Sequence, residues 1–201
     1  SLRAAGWLRW GVLGLPVALA ALRIYVQVPA LYAGQLGLSL SLVGAILLAT
    51  RIADAIADPL IGWASDRFLT RRRLIALALP VLAVGLVGLL APPAGAGGMW
   101  LAALLVLVSF AYSVATINYA AWGAELGHDA DSRTRLVASR EGFGLLGVVL
   151  AAALPAVLAA EMSTGLGRVG WLFVPLVAMA ALLSLVGVPA GLRRAAGSEL
   201  P

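Results

Sequence analysis

The sequence predicts an all-α, polytopic membrane protein with six transmembrane helices. Three observations lead there. Hydrophobic residues make up 62% of the 201 and charged residues only 11%, with a mean hydropathy of +1.01; a soluble domain of this size needs far more polar surface. Six apolar stretches are each long enough to cross about 30 Å of hydrocarbon. The loops between them alternate in arginine content. There is no cysteine, so disulfides and thiolate metal sites are excluded. All fourteen basic residues are arginine, and the formal charge is +5. Alone, that sum would also fit nucleic acid or an anionic surface; in a membrane protein the placement of the arginines carries the information.

The first span, residues 11–34, follows Arg3 and Arg9 and so has the look of a signal peptide. Its apolar run is too long for that, and five more spans follow, so a retained helix is expected. The second span covers 40–63. The third (74–91) and fifth (142–160) are near the short limit, the fourth (99–124) is long enough to tilt, and the sixth covers 170–190. Together they form one unit over 1–201. Gly11, Gly14, Gly85, Gly88, Gly142, Gly144 and Gly147 allow close helix approach. Pro16, Pro29, Pro80, Pro155 and Pro175 each free a carbonyl inside a span.

Eleven arginines fall on one side of this arrangement: Arg3 and Arg9, Arg67 with Arg71, Arg72 and Arg73, then Arg133, Arg135 and Arg140, and Arg193 and Arg194. Only Arg168 falls on the other, while Arg23 and Arg51 lie inside spans. That bias predicts a cytoplasmic-membrane protein with both termini in the cytoplasm.

The rest of the chain is organised around 50–73, TRIADAIADPLIGWASDRFLTRRR. Arg51, Asp54 and Asp58 stand at i, i+3 and i+7, one face of a helix. Charges inside a span cost roughly 2.5–3.5 kcal/mol each on insertion scales and usually mark a pathway. Two carboxylates one turn apart suit a shared Na⁺ or proton, or else an ion-paired cluster that only holds helices together. Asp66, with Arg67, Arg71, Arg72 and Arg73, suits salt bridges to neighbouring helix ends that would latch a gate, for which Arg51 and Glu125 are further candidates, or a simple positive-inside anchor.

In the fourth span, Tyr112, Ser113, Thr116, Asn118, Tyr119 and Trp122 form the most polar and aromatic run within the membrane. They suit hydrogen bonding and ring stacking to a polar organic solute, or contacts between helices. Arg23, Tyr25 and Gln27 add polar groups to the first span. Arg23 suits an anionic solute or a pairing with Asp54 or Asp58, and Tyr32 reads as an interfacial anchor. Glu125, Arg133, Arg135, Arg140 and Glu141 bracket the fourth-to-fifth loop, where the single histidine, His128, reads as solvated. No nucleophile–base pair, metal-ligand cluster or phosphate loop stands out, so an enzyme is not expected.

RIADAIADPLIGWASDR, from Arg51, resembles the second-helix motif of the glycoside–pentoside–hexuronide:cation symporters, the melibiose-permease branch of the major facilitator superfamily. The preceding YAGQLGLSLSLVG resembles the approach to that helix, and GWASDRFLTRRR the superfamily's gating loop. Tyr119 through Glu125 and the arginine spacing that ends at Arg140 match as well. The resemblance covers essentially the whole chain and implies the amino-terminal six-helix half of a twelve-helix fold. It implies that Asp54 and Asp58 are cation-site carboxylates, with Arg51 one turn before them, and that Arg140 lies near the sugar site. The family's first-helix acid falls at about Pro16, its fourth-helix acid at Thr116, and Ala57 replaces a frequent asparagine. The implied sugar grip is therefore altered, while Thr116 remains a candidate ligand for both cation and substrate.

The expected function is secondary transport of a small organic solute, in symport with Na⁺ or H⁺ and with no other cofactor. An amphipathic or lipid-like solute is the runner-up, since relatives on this fold move lysolipids; a truncated, non-transporting membrane partner is the other class. Expected partners are the solute, membrane lipids, and a carboxy-terminal half or second copy, with no nucleic acid.

Overall fold

A computed structural model describes residues 4–158 and 162–189. Arg3, Arg193, Arg194 and the far ends of the fifth and sixth predicted spans lie outside the described residues. Six helices are long and apolar enough to cross a membrane: α1 (Ala5–Gln35), α2 (Leu40–Arg67), α3 (Arg71–Leu90), α4 (Gly98–Leu126), α5 (Ala130–Leu158) and α6 (Met162–Gly187). No strand occurs among the described residues. The chain is a multi-pass membrane protein.

The helices run past the apolar stretches that mark them in the sequence. Arg133, Arg135 and Arg140 are helical rather than in a loop, because α5 begins at Ala130. A hydropathy window measures the lipid-facing length, whereas a helix continues until a cap stops it. At α5 the stop is Asp129: its Oδ1 accepts from the Ser132 N–H at 2.7 Å, and the Ser132 hydroxyl pairs back with the Asp129 backbone. Those bonds hold the Asp129 carboxyl below the usual carboxylate range. A group with a depressed folded pKa stabilises above its unfolded value, about 4, and that contribution is lost as pH falls through the folded one. The gap in melting temperature between wild type and Asp129→Ala is therefore expected to narrow on acidification below about pH 4. Ser39 caps α2 in the same manner, accepting from Leu42 N–H at 3.2 Å. Gly37 and Gly95 supply positive φ (73° and 81°) in the two loops at the other end.

α1 is broken where its prolines predict. Pro16 has no N–H to offer Val12, and the Leu15 N–H turns to Val12 instead, at 3.1 Å. The exposed carbonyls of that turn are met by side chains from other helices. The Tyr119 hydroxyl donates to Trp10 and Gly11 at 2.9 and 3.3 Å, Ser139 donates to Trp7 at 3.0 Å, and Ser184 to Arg9. Upstream of Pro29, the helix widens into a π-turn over Arg23–Gln27, closed by the Val28 N–H on the Arg23 carbonyl. A second π-turn covers Leu31–Gln35.

Packing follows the glycines. α1 lies on α5 and α6, α3 on α4 and α6, and α2 chiefly on α4. Gly14 and Gly147 sit at the α1–α5 crossing, where an added Cβ would fall on the carbonyl oxygens of Arg140 and Leu15. Gly85 and Gly88 take Val108 and Leu104 of α4. Tyr32 is fully buried, which corrects its reading as an interfacial anchor: the second π-turn directs it into the bundle.

Candidate transport site

α2 approaches α1 most closely near the second π-turn; further along, side chains bridge the seam between the two, and only 11% of the α2 span is buried. Arg51 crosses this seam. Its guanidinium lies over the Tyr25 ring at 3.7 Å and pairs with Asp54 on its own helix at 3.8 Å. Tyr25 meets Tyr112 of α4 edge to face at 6.2 Å. Asp54 is also engaged by Ser109 of α4. One turn further along α2, Asp58 has Oδ1 buried with no hydrogen-bond partner. Arg51 thus pairs with Asp54 and is partly committed to a ring face, while Asp58, one turn on, joins no ion pair among the described residues. The deficit falls on Asp58, where an unmet buried carboxylate oxygen costs about 1–3 kcal/mol. A small cation, or a proton, in reach of both carboxylates removes it.

Thr116 is half-buried on the same helix as Tyr112, and its hydroxyl is spent on the carbonyls of Tyr112 and Ser113, at 2.9 and 3.3 Å. Arg140 is half-exposed on α5, paired with Glu141 at 2.7 Å and within electrostatic range of Tyr112. The other candidates from the aromatic run of α4 are elsewhere. Tyr119 is buried against Trp10, with ring centroids 4.4 Å apart. Trp122 is buried and donates to the Pro189 carbonyl at 3.0 Å. Asn118 is buried beneath the arginine-rich end and donates to Ser65 at 3.0 Å.

Arg23 pairs with neither Asp54 nor Asp58. It is fully buried on the α5 side of α1, where Nη1 bonds Gln27 and Gln27 in turn donates to the Ala151 carbonyl at 2.9 Å. Its Nε and Nη2 have no hydrogen-bond partner among the described residues. Two residues apart on a helix, Arg23 and Tyr25 point to nearly opposite sides and so serve different faces.

At the arginine-rich end, one arginine of the triplet gathers the cluster. Arg71 pairs with Asp66 across the 68–70 loop, with Glu125 of α4 at 3.2 Å, and with Asn118 Oδ1 at 3.2 Å. Arg67 instead stacks on Trp63, 4.5 Å away, and Arg72 and Arg73 join no ion pair among the described residues. Arg51 belongs to the seam: fifteen residues of helix, about 22 Å, separate it from Asp66. Ser65 and Ser109 are members of these clusters that the sequence did not single out. Ser109 stands one turn before Tyr112, and that spacing was the available signal; Ser65 had none.

Arg71→Ala is expected to cost about 2 kcal/mol, because it strands Asn118 and a half-buried Glu125. Asp66→Asn should cost under about 1 kcal/mol, since Asp66 is 63% exposed and well hydrated. Thermal denaturation of the two variants checks this order.

The family model described as MFS/sugar transport protein matches residues 9–194. No curated protein matches the chain.

Proposed function

The chain belongs to the MFS/sugar transport protein family and is a transporter; on that premise we propose that it moves a small, sugar-like solute by symport with Na⁺ or H⁺. The observation that carries this reading is the Arg51–Asp54–Asp58 group, with its unmet carboxylate oxygen at the open seam between α1 and α2. The solute binds beside it, against Tyr25 and Tyr112, whose ring edges and hydroxyls suit a polyhydroxylated molecule, with Arg140 and Thr116 at the rim. Coupling follows from charge. The cation lowers the repulsion between the carboxylates and lets Arg51, already over Tyr25, leave Asp54 for the solute. The Arg71 cluster is the latch that ties the ends of α2, α3 and α4 together while the site faces the other way.

The inner membrane, with the arginine-rich end in the cytoplasm, is the setting that the arginine bias supports. A second six-helix unit is also part of the proposal, either a carboxy-terminal half or another copy. Only 11% of the α2 span is buried, and its half-exposed Arg51 would otherwise meet lipid.

Uptake of labelled glycosides into proteoliposomes tests the reading, with the complete transporter that contains this chain and an imposed Na⁺ or proton gradient. Accumulation that follows one of the two gradients is expected. Equal uptake with both gradients collapsed would remove the symport proposal and leave facilitated diffusion.

A further inference from the structure

The geometry points to a seat for an anionic phospholipid at the arginine-rich end, between α3 and α6. A cleft of about 410 Å³ opens there, lined by Thr70, Arg72, Arg73, Ala76 and Leu185. Its two arginines are the members of the triplet that the latch does not use. Arg71 takes Asp66, Glu125 and Asn118, while Arg72 and Arg73 have no acidic partner. Two uncompensated guanidinium groups lining one cleft attract a phosphate far more strongly than a neutral group. Thr70 precedes α3 in extended geometry and makes no side-chain capping bond, so its hydroxyl and the first-turn N–H groups remain available as donors.

The floor of the cleft points to a lipid rather than a free anion. Ala76 and Leu185 offer no polar atom beyond the backbone. Along α3, Arg73, Leu77 and Val84 follow one another at helical spacing on one stripe. Leu77 and Val84 are 63% and 71% exposed, which gives an acyl chain an apolar track directly below the charged head. The cleft shares no lining residue with the Tyr25–Arg51 seam, so the seat does not depend on what is transported. A basic pocket between membrane helices is the chemistry that holds phosphatidylglycerol-type headgroups.

Native mass spectrometry of the delipidated protein, titrated with phosphatidylglycerol, phosphatidylcholine or inorganic phosphate, tests the proposal. Two arginine contacts should give roughly a thirty-fold preference for phosphatidylglycerol over phosphatidylcholine, with inorganic phosphate a poor competitor. The R72Q/R73Q variant should reduce this preference to a few-fold. R135Q removes an arginine that pairs with Asp131 and stacks on Trp7, outside the cleft, and should leave the preference intact. A76F fills the cleft without touching its charge and should abolish tight binding, which keeps the test decisive if the double variant is poorly folded. An undiminished preference in R72Q/R73Q or A76F would overturn the seat. So would equal binding of phosphatidylcholine, or full displacement by phosphate, which would mark a free-anion site.

Discussion

Gly147→Leu is expected to leave almost no folded protein, whereas Gly142→Ala, five residues earlier on the same helix, should be tolerated within about 0.5 kcal/mol. A Cβ at Gly147 lands on the backbone carbonyl of Leu15, with the Leu15 Cα and C atoms 3.2 and 3.1 Å away. Backbone cannot swing aside as a side-chain tip does, and α1 is already held there by Tyr119, Ser139 and Ser184 bonded to its freed carbonyls. The whole α1–α5 crossing must open, and that costs more than the usual 1–3 kcal/mol of overpacking. At Gly142 nothing lies within 4 Å of the added atom. Detergent-soluble yield and melting temperature of the two variants give the comparison. A normally folded Gly147→Leu would mean that the two helices do not cross there.

Asp58→Asn is expected to abolish cation-dependent stabilisation, and Asp54→Asn to do the same. At a cation concentration about 100 times its dissociation constant, a filled site adds roughly 2.7 kcal/mol to the wild type. In Asp58→Asn the buried Oδ1 becomes part of a neutral amide, so the unmet charge that draws the ion is gone. In Asp54→Asn one of the two carboxylates that would hold the ion is gone while Arg51 keeps its charge, with the same result. The measurement is melting temperature of the complete transporter against Na⁺ and against pH, with choline chloride as the screening control. If both variants kept the full rise with Na⁺, the pair would be an ion-paired scaffold and the coupling proposal would fail.

The candidate site was legible only in part. Arg51, Asp54 and Asp58 stand out because charge in an apolar run is costly wherever the run folds, and their i, i+3, i+7 spacing holds on any helix. The aromatic run of α4 was not separable in advance. That helix is apolar on all sides and touches α2, α3, α5 and α1, so its own periodicity does not say which face opens to the seam. Tyr112 meets Tyr25 of α1, and the Thr116 hydroxyl is bonded within its own helix; Tyr119 and Trp122, a turn or two on, are locked in packing. Consecutive arginines at 71, 72 and 73 point about 100° apart, and nothing local told the latch arginine from the two at the cleft.

By itself the sequence determined the six spans, the side on which the arginines collect, the prolines that break α1 and the acidic pair inside α2. All of these follow from interactions with lipid and water, or with residues within a turn or two, so they are written in short stretches of chain. The tertiary structure alone decided partnership. It sent Arg23 to Gln27 and the Ala151 carbonyl, Asn118 to Ser65 and Arg71, Tyr119 to Trp10, and Arg51 to Tyr25. The bonds from Gln27 to Ala151 and from Tyr119 to Trp10 close over 124 and 109 residues. Which side chains meet across such separations depends on how closely helix backbones approach at glycines and on how a proline resets a helix face.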